Sequence, residues 1–213
     1  MNTCCIELFS GNADITKALN DYGFDCVSVD YDINKNPMVC ADVYSLPDDF
    51  LKNFAFIWLS PDCTTYSLAG RGIHRTKGSV PVSDYAKECD INNARLFSRL
   101  RHLGIPFIAE NPRAHMRHMP FVQGLARTTV YYSTYGADFS PKPTDLFSNC
   151  PEILGIFNTE RTKTTNRLDH ISYSDFLGRC KMPPRLIDDI CKAVEIAVYG
   201  KRYNYYGKGY NYD

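Results

Sequence analysis

Short apolar segments alternate with helical patterns through the first half of the chain. The run CIELF at 5–9 ends at a Ser-Gly pair, and apolar residues at helical spacing follow it: Ile15, Ala18, Leu19 and Tyr22. Further strand candidates are 24–32, 54–59 and 105–109. A long amphipathic helix is predicted between the last two from Tyr85, Cys89, Leu96, Phe97, Leu100 and Leu103. Such alternation predicts an α/β fold with a largely parallel sheet covered by helices on both faces.

The C-terminal part contains one more helix and then changes in composition. Pro183-Pro184 opens a helix with a single apolar stripe, consisting of Ile187, Ile190, Cys191, Val194 and Val198. Residues 199–213 are rich in tyrosine and glycine and contain no aliphatic residue. We therefore expect one domain over 1–198 and a tail over 199–213 that is disordered on its own or stacks its tyrosines on bases.

Composition excludes several classes of protein. The chain has 213 residues, of which 44% are hydrophobic and 23% charged, as in ordinary globular domains. It has no apolar run long enough to cross a bilayer and no export signal at its start, so we expect a cytoplasmic protein without membrane contact. Nine cysteines without a Cys-x-x-Cys pair predict reduced, mostly buried thiols and no metal site.

The net charge of zero hides an uneven distribution. Residues 1–60 carry 3 basic and 9 acidic side chains, residues 61–130 carry 10 and 5, and residues 131–213 carry 11 and 10. The basic middle third is where a polyanion is expected to bind, although scattered cations on a solvated face give the same count. The cations expected to contact phosphates are Arg71, Arg75, Lys77, Arg113 and Arg117.

The turn after the first strand and the acids after the next two predict a nucleoside site. In an open parallel sheet, ligands bind beyond the carboxyl ends of the strands, and Ser10-Gly11-Asn12 occupies the first such turn. Asp30, 19 residues after Gly11, is placed to bind the two hydroxyls of a ribose, and Asp42 could meet an adenine amino group. The alternative is that both acids are helix caps.

A cysteine and a glutamate follow two later strands. Cys63 lies in the proline-bent segment SPDC, just past the strand candidate 54–59, where a nucleophile is typically presented. Glu110 follows the strand candidate 105–109 and precedes Asn111-Pro112-Arg113. A buried structural thiol and an ordinary surface acid are the alternatives. Together the two residues suit covalent attack on an electron-poor ring.

Four ordered motifs carry a resemblance to a known family. They are ELFSG at 7–11, SPDC at 60–63, ENPR at 110–113, and Tyr135-Gly136 followed by KPTDLFSN at 142–149. In order and spacing they resemble the short DNA (cytosine-5)-methyltransferase-like proteins of bacteriophages. Met182-Pro183-Pro184 and its helix are similar to the closing motif of that family, so the resemblance covers about residues 4–198.

The resemblance implies a Rossmann-like class I methyltransferase fold that binds S-adenosylmethionine. Phe9 and Gly11 would line the methionine part of the cofactor, Asp30 the ribose and Asp42 the adenine. The other residues implied at the cofactor are Ser10, Tyr31 and Pro61.

The resemblance also implies the catalytic residues. Cys63 would attack C6 of cytosine, Glu110 would steady or protonate N3, and Arg113 would hold a phosphate or the base. The implied partner is DNA, with the target cytosine flipped out of the duplex or single-stranded.

Three departures from the family pattern leave alternatives open. Asp62 stands where the family has a proline, and an anion beside the thiol opposes thiolate formation. Asn12-Ala13-Asp14 lacks the second glycine that is common in the first turn. Only about 33 residues separate Asn149 from Pro183, too few for a target-recognition domain. The alternatives are therefore a binding module with little turnover, an enzyme acting on a cytosine nucleotide, and a reliance on a protein partner for specificity.

Overall fold

The fold is built on one seven-stranded sheet. The structure is a computed structural model that describes residues 2–162 and 181–200. In chain order the strands are β1 (Cys4–Leu8), β2 (Asp25–Asp30), β3 (Val39–Cys40), β4 (Phe56–Leu59), β5 (Phe107–Pro112), β6 (Ala126–Tyr131) and β7 (Pro143–Ser148). Their order across the sheet is β3-β2-β1-β4-β5-β7-β6.

Five neighbouring strands run parallel and a hairpin completes the sheet. β1 pairs with both β2 and β4, β3 pairs with β2, and β5 pairs with β4, all in parallel. β7 enters antiparallel between β5 and β6. The carboxyl ends of β1 to β5 therefore meet at one edge of the sheet, and the strand order reverses between β1 and β4, which is where such sheets bind ligands.

Helices cover both faces of the sheet, as the sequence predicts. The helices are α1 (Asp14–Tyr22), α2 (Asp48–Leu51), α3 (Asp84–Leu103), α4 (Tyr132–Tyr135) and α5 (Pro184–Tyr199). Alternate residues of the central strands divide between two cores because successive side chains of a strand point to opposite faces. Ile57 and Leu59 of β4 pack on the α3 side, whereas Phe56 and Trp58 pack on the side of α1 and α5.

Local signals in the sequence fix the ends of the long helices. Ser83 caps α3 because its hydroxyl accepts the amide hydrogen of Ala86. Gly104 ends α3 with a φ of +68°, and Gly23 ends α1 with a φ of +106°. Both values lie in the left-handed region that glycine adopts without strain.

Two expectations need correction in detail. Tyr199, assigned above to the tail, is the last residue of α5, and its ring stacks on Phe24 at 5.9 Å. The rest of the predicted tail, from 201 onward, lies outside the described residues. Of the eight cysteines described, only Cys5, Cys26, Cys89 and Cys191 are buried, so burial is less general than expected. Across 2–162 and 181–200, every helix is too short or too polar to span a bilayer.

Candidate functional site

The carboxyl edge of the sheet brings together every residue that the sequence predicts for the cofactor and for catalysis. Phe9, Ser10 and Gly11 follow β1, Tyr31 follows Asp30 at the end of β2, and Asp42 follows β3. Pro61 and Cys63 follow β4, and Glu110 and Arg113 lie at the end of β5. The grouping results from the parallel pairing, which aligns the ends of five strands that are far apart in the chain.

The first turn is held to the second strand by Asp30. The Gly11 amide donates to one carboxylate oxygen of Asp30 at 2.9 Å, and the Asp32 amide donates to the other oxygen at 2.9 Å. Phe9 has a φ of +57°, a strained conformation for a residue with a side chain. Strain of this kind persists only where surrounding contacts enforce it, and here it turns the chain sharply at the end of β1.

Ser10 presents a hydroxyl that lacks a partner among the described residues. The residue is buried, its amide donates to Val29 O at 3.0 Å, and its carbonyl accepts from Ala13 N at 2.8 Å. The Oγ atom makes no hydrogen bond within the described part of the chain. A buried hydroxyl without a partner is costly, so this atom is suited to a polar group of a ligand in the turn.

Glu7 stabilises the turn through hydrogen bonds to the start of α1. Its carboxylate accepts hydrogen bonds from the amide and the hydroxyl of Thr16, at 2.7 and 2.6 Å, in the first turn of α1. Burial raises the pKa of Glu7 to about 7 although both bonds act in the opposite direction. The side chain joins β1 to the N-terminal end of α1 and so fixes the two flanks of the Ser10-Gly11 turn.

A groove opens beside Asp42. It has a volume of about 240 Å³ and is lined by Asp42, Tyr44, Ser45, Asn92, Arg95, Leu96 and Arg99. The Asp42 carboxylate accepts the Tyr44 amide at 3.0 Å, so the acid does cap a short 3-10 helix, as the alternative interpretation held. Asp42 also lies at the carboxyl edge of the sheet, where the sequence predicts a contact with adenine. Tyr31, also at this edge, is 78% exposed and presents its ring to solvent.

The segment with Cys63 is tied to the strand that carries Glu110. Asn111 Nδ2 donates to the buried Pro61 carbonyl at 2.9 Å, across 50 residues of sequence. Cys63 is exposed, reduced, and starts a turn in which its carbonyl accepts the amides of Tyr66 and Ser67. The thiol is therefore presented to solvent on a segment whose base is fixed to β5. Asn111 Oδ1 is buried and has no partner among the described residues.

Glu110 is a half-buried carboxyl whose pKa is shifted by its surroundings. Burial raises its pKa, while a hydrogen bond from Ser60 and the charge of Lys142 offset part of that effect. Ser60 is itself oriented by Trp58, whose Nε1–H donates to Ser60 Oγ at 3.0 Å. A carboxyl with a raised pKa retains its proton at a higher pH and can donate it to a basic atom.

Of the predicted phosphate contacts, Arg75 is wrong because it is buried, and Arg117 is already paired with an acid. Arg75 is fully buried, and its guanidinium forms a two-pronged pair with Asp90 at 2.6 and 3.0 Å. It also donates to the Thr65 carbonyl and stacks on Tyr66 at 4.4 Å, so it supports the loop after Cys63. Arg117 binds the buried Asp145 with two hydrogen bonds at 2.7 and 2.9 Å. A cation count in the sequence cannot distinguish such structural pairs from exposed charges.

The remaining predicted cations are exposed. Arg71 and Lys77 lie in the segment between β4 and α3, and Arg113 follows β5. Arg113 Nη1 donates to the Tyr131 hydroxyl at 2.9 Å, and Arg161 lies over the Tyr131 ring at 6.0 Å. Tyr131, the last residue of β6, thus contacts one guanidinium group at its hydroxyl and a second over its ring.

Three contacts at the site were not anticipated from the sequence. Ser60 hydrogen-bonds to Glu110, Lys142 adds a positive charge near it, and Tyr85 donates to the Asp62 carboxylate. Lys142 and Ser60 lie within the motifs that carry the resemblance, which was the available signal. No sequence signal indicated the contact of Tyr85, since this residue was assigned only to the apolar pattern of α3.

The order and direction of the strands define the fold class. A sheet in the order β3-β2-β1-β4-β5-β7-β6, with β7 antiparallel and helices on both faces, is the Rossmann-like class I methyltransferase fold. This confirms the fold class predicted from the alternating pattern and the motifs.

Solved structures share this fold. A methyltransferase of Entamoeba histolytica, EhMeth, matches with a TM-score of 0.55 and 12% identity, over 78% of this chain and 58% of that one. The S. pombe Dnmt2 methyltransferase matches with a TM-score of 0.50 and 11% identity, over 76% and 57%. A mutant of Spodoptera frugiperda DNMT2 matches with a TM-score of 0.48 and 16% identity, over 77% and 56%.

The likeness is one of fold. The chain spans less than three fifths of the length of these solved structures. No protein-family model matches the chain, and no curated protein matches it in sequence. Residue roles therefore depend on the geometry of this chain.

Proposed function

We propose that the protein transfers a methyl group from S-adenosylmethionine to C5 of cytosine in DNA. The observation that carries the proposal is that Cys63 and Glu110 lie at the carboxyl ends of the adjacent parallel strands β4 and β5, with Asn111 Nδ2 bonded to the Pro61 carbonyl between these strands. This bond fixes the thiol segment against the strand of the proton donor. The edge of the sheet beside these two residues is the position at which sheets of this kind bind nucleoside ligands.

The residues of the first turn fit S-adenosylmethionine. The unpartnered Ser10 hydroxyl and the left-handed turn at Phe9 and Gly11 suit the polar methionine part of the cofactor. Asp30 is already oriented by two backbone amides, and each of its oxygens has a further lone pair for a ribose hydroxyl. The exposed Tyr31 ring and Asp42 would hold the adenine. When bound, the cofactor supplies an electrophilic methyl group on sulfur.

Cys63 is proposed to make the cytosine ring reactive. C5 of cytosine is a poor nucleophile, and addition of a thiolate to C6 forms a C–S bond and shifts an electron pair toward C5 and N3. C5 would then form a bond to the methyl carbon that the cofactor supplies while the bond from that carbon to sulfur breaks, and the electron pair of the broken bond would stay on sulfur. Loss of the proton from C5 to a base and elimination of the thiolate restore the double bond and release the product.

Glu110 is proposed to stabilise the charge that develops on the ring. Since burial raises its pKa, the carboxyl can hold a proton and donate it toward N3 as Cys63 adds to C6. The chain from Trp58 Nε1 through Ser60 fixes the direction of this carboxyl. Arg113, which donates to the Tyr131 hydroxyl, is proposed to bind a phosphate or the base.

The substrate is proposed to be polymeric and the recognition site short. Arg71, Lys77 and Arg113 are exposed cations that suit phosphates, which carry no sequence information. The stretch between Asn149 and Pro183 is too short for a recognition domain of its own. We therefore expect a site of a few bases, a single-stranded substrate, or a protein partner that supplies specificity.

Methyl transfer to several acceptors tests this proposal directly. Labelled S-adenosylmethionine is incubated in parallel with duplex DNA, single-stranded DNA, RNA and dCMP, and label is expected in DNA. With DNA containing 5-fluorocytosine, a covalent adduct is expected at Cys63, because fluorine at C5 cannot be removed and the thiolate cannot leave. The Cys63→Ala variant should form no adduct, and Glu110→Gln should form it much more slowly.

Cys40→Ala is the matched control because Cys40 is also exposed, at the end of β3. It should form the adduct at the parent rate. Label in dCMP alone would indicate a nucleotide enzyme, and label in RNA alone would replace the DNA assignment. Binding of S-adenosylmethionine by calorimetry without any transfer or adduct would identify the chain as a binding module.

A further inference from the structure

The carboxylate of Asp62, directly before Cys63 in sequence, accepts three hydrogen bonds. Its Oδ1 atom accepts the Thr64 amide at 2.9 Å and the Thr64 hydroxyl at 2.7 Å. Its Oδ2 atom accepts the Tyr85 hydroxyl. The first pair of bonds forms a turn around Cys63, and the third connects this turn to α3. Three donors therefore fix the direction of an anion that lies next to the thiol in sequence.

Tyr85 is itself held in place. It lies in the first turn of α3, directly after Ser83 caps that helix and Asp84 begins it. The His74 ring packs edge-on against the Tyr85 ring at 5.9 Å, and His74 Nδ1 is hydrogen-bonded to Ser83 Oγ at 2.9 Å. The hydroxyl of Tyr85 is thus presented at a defined point beside the turn.

Other titratable groups surround this corner. Cys89 faces Tyr85 from the next turn of α3, and Tyr44 faces Asp62 and Cys89 from the segment after β3. Partial burial and the Asp62 carboxylate raise the pKa of Tyr85, so that its hydroxyl remains a donor throughout the range in which thiols titrate. Burial also raises the pKa of Cys89, which keeps that neighbour neutral.

We infer that Tyr85 and Asp62 act as a positioning pair for Cys63. Tyr85 draws the carboxylate toward α3, which limits how strongly this anion opposes formation of the thiolate. The turn that Asp62 builds with Thr64 provides at the same time the rigidity of the segment between Pro61 and Cys63. An anion next to a thiol is unfavourable for a nucleophile, but in this geometry Asp62 helps to hold Cys63 in position. This inference rests on the proposed function of Cys63.

The test measures the alkylation rate of Cys63 by iodoacetamide as a function of pH, with the labelled peptide identified by mass. Asp62→Asn keeps an oxygen for Thr64 and removes the charge, so Cys63 should react about three to ten times faster near pH 7.5, the size expected for one exposed charge. Tyr85→Phe frees the carboxylate, and Cys63 should then react about threefold more slowly, within the same range. Cys40, exposed at the end of β3, serves as an internal control whose rate should not change.

A double variant separates electrostatic positioning from structural support. In the Asp62→Asn background, Tyr85→Phe should have no effect on the rate, because there is no anion left to redirect. An equal slowing in both backgrounds, or no slowing in either, would overturn the pairing. Circular dichroism and thermal unfolding of each variant confirm that the fold is retained, which is expected because both changes are isosteric and at the surface.

The alkylation assay is independent of methyl transfer. If the thiol responds as expected but no adduct forms with 5-fluorocytosine DNA, the positioning pair stands and the proposed function fails. If both hold, Tyr85→Phe should slow adduct formation by about the same factor as alkylation while the Kd for S-adenosylmethionine stays unchanged. Slowing of alkylation without slowing of the adduct would show that the pair does not serve catalysis.

Discussion

The buried carboxyl of Glu7 should make the stability of the protein depend on pH in a way that one substitution removes. Burial raises the pKa of Glu7 from its ordinary value of 4.5 to about 7 in the folded chain. Between these two values the unfolded chain releases the proton while the folded chain retains it. The free energy of unfolding therefore falls as the pH rises through this window, and the loss is complete above pH 7.

The size of the effect follows from the pKa difference. A difference of about 2.5 corresponds to about 3 kcal/mol of lost stability at pH 8 relative to pH 4.5. Glu7→Gln has nearly the same shape, offers an oxygen to the amide and hydroxyl of Thr16, and does not titrate. The stability of the variant relative to the parent should therefore rise by about 3 kcal/mol between pH 4.5 and pH 8.

Urea unfolding of both proteins at several pH values measures this difference. Glu88→Gln, which removes an exposed carboxyl of α3, is the matched control and should show no such trend. The comparison of two proteins at each pH cancels the titration of all other groups. If the gap between Glu7→Gln and the parent were the same at pH 4.5 and pH 8, Glu7 would ionise alike in both states and the argument from burial would be wrong.

Three further perturbations address the site and its support. Asp30→Ala should weaken binding of S-adenosylmethionine by about 1 to 3 kcal/mol, measured by calorimetry. It should also lower the stability of the fold, since the Gly11 and Asp32 amides lose their acceptor. Equal affinities of variant and parent would remove the cofactor assignment. Arg75→Met should destabilise the fold by about 3 to 5 kcal/mol in urea unfolding, because Asp90 and the Thr65 carbonyl lose a fully buried partner. A loss below about 1 kcal/mol would show that the pair with Asp90 contributes no more than a surface salt bridge. Alanine at Arg71, Lys77 or Arg113 should each reduce the slope of log affinity for DNA against log salt by about one; an unchanged slope for all three would place the DNA elsewhere.

The sequence predicted the architecture well because periodicity reports burial. The runs 5–9, 24–32, 54–59 and 105–109 overlap β1, β2, β4 and β5, and the patterns around Ile15, Leu96 and Ile190 are all helices, whereas β3, β6 and β7 were not among the strand candidates. The boundary of β5 was harder to predict: its parallel pairing with β4 ends at Ala109, but the antiparallel pairing with β7 extends the strand to Pro112. The short apolar run 105–109 could not show a partner that lies 32 to 36 residues further along the chain.

The site was predictable by position and less so by environment. Residues after parallel strands meet at one edge whatever their neighbours, so Gly11, Asp30 and Cys63 could be placed from the strand pattern. The partners of individual charges depend on packing between distant segments. Arg75 was therefore interpreted as a phosphate contact although it pairs with Asp90, and the engagement of Asp62 by Tyr85 could not be anticipated.

The two edges of the sheet differ in what they offer to a neighbouring molecule. Among the described strands, β3 is one edge and is two residues long, so it exposes few free backbone amides and carbonyls for pairing with another chain. β6, the other edge, has six residues, ARTTVY, and includes the exposed Arg127. Strand addition to this sheet is therefore favoured at β6, which lies at the opposite edge from β3 and from the proposed cofactor residues Asp30 and Asp42, so that a partner bound there would leave the proposed cofactor site uncovered.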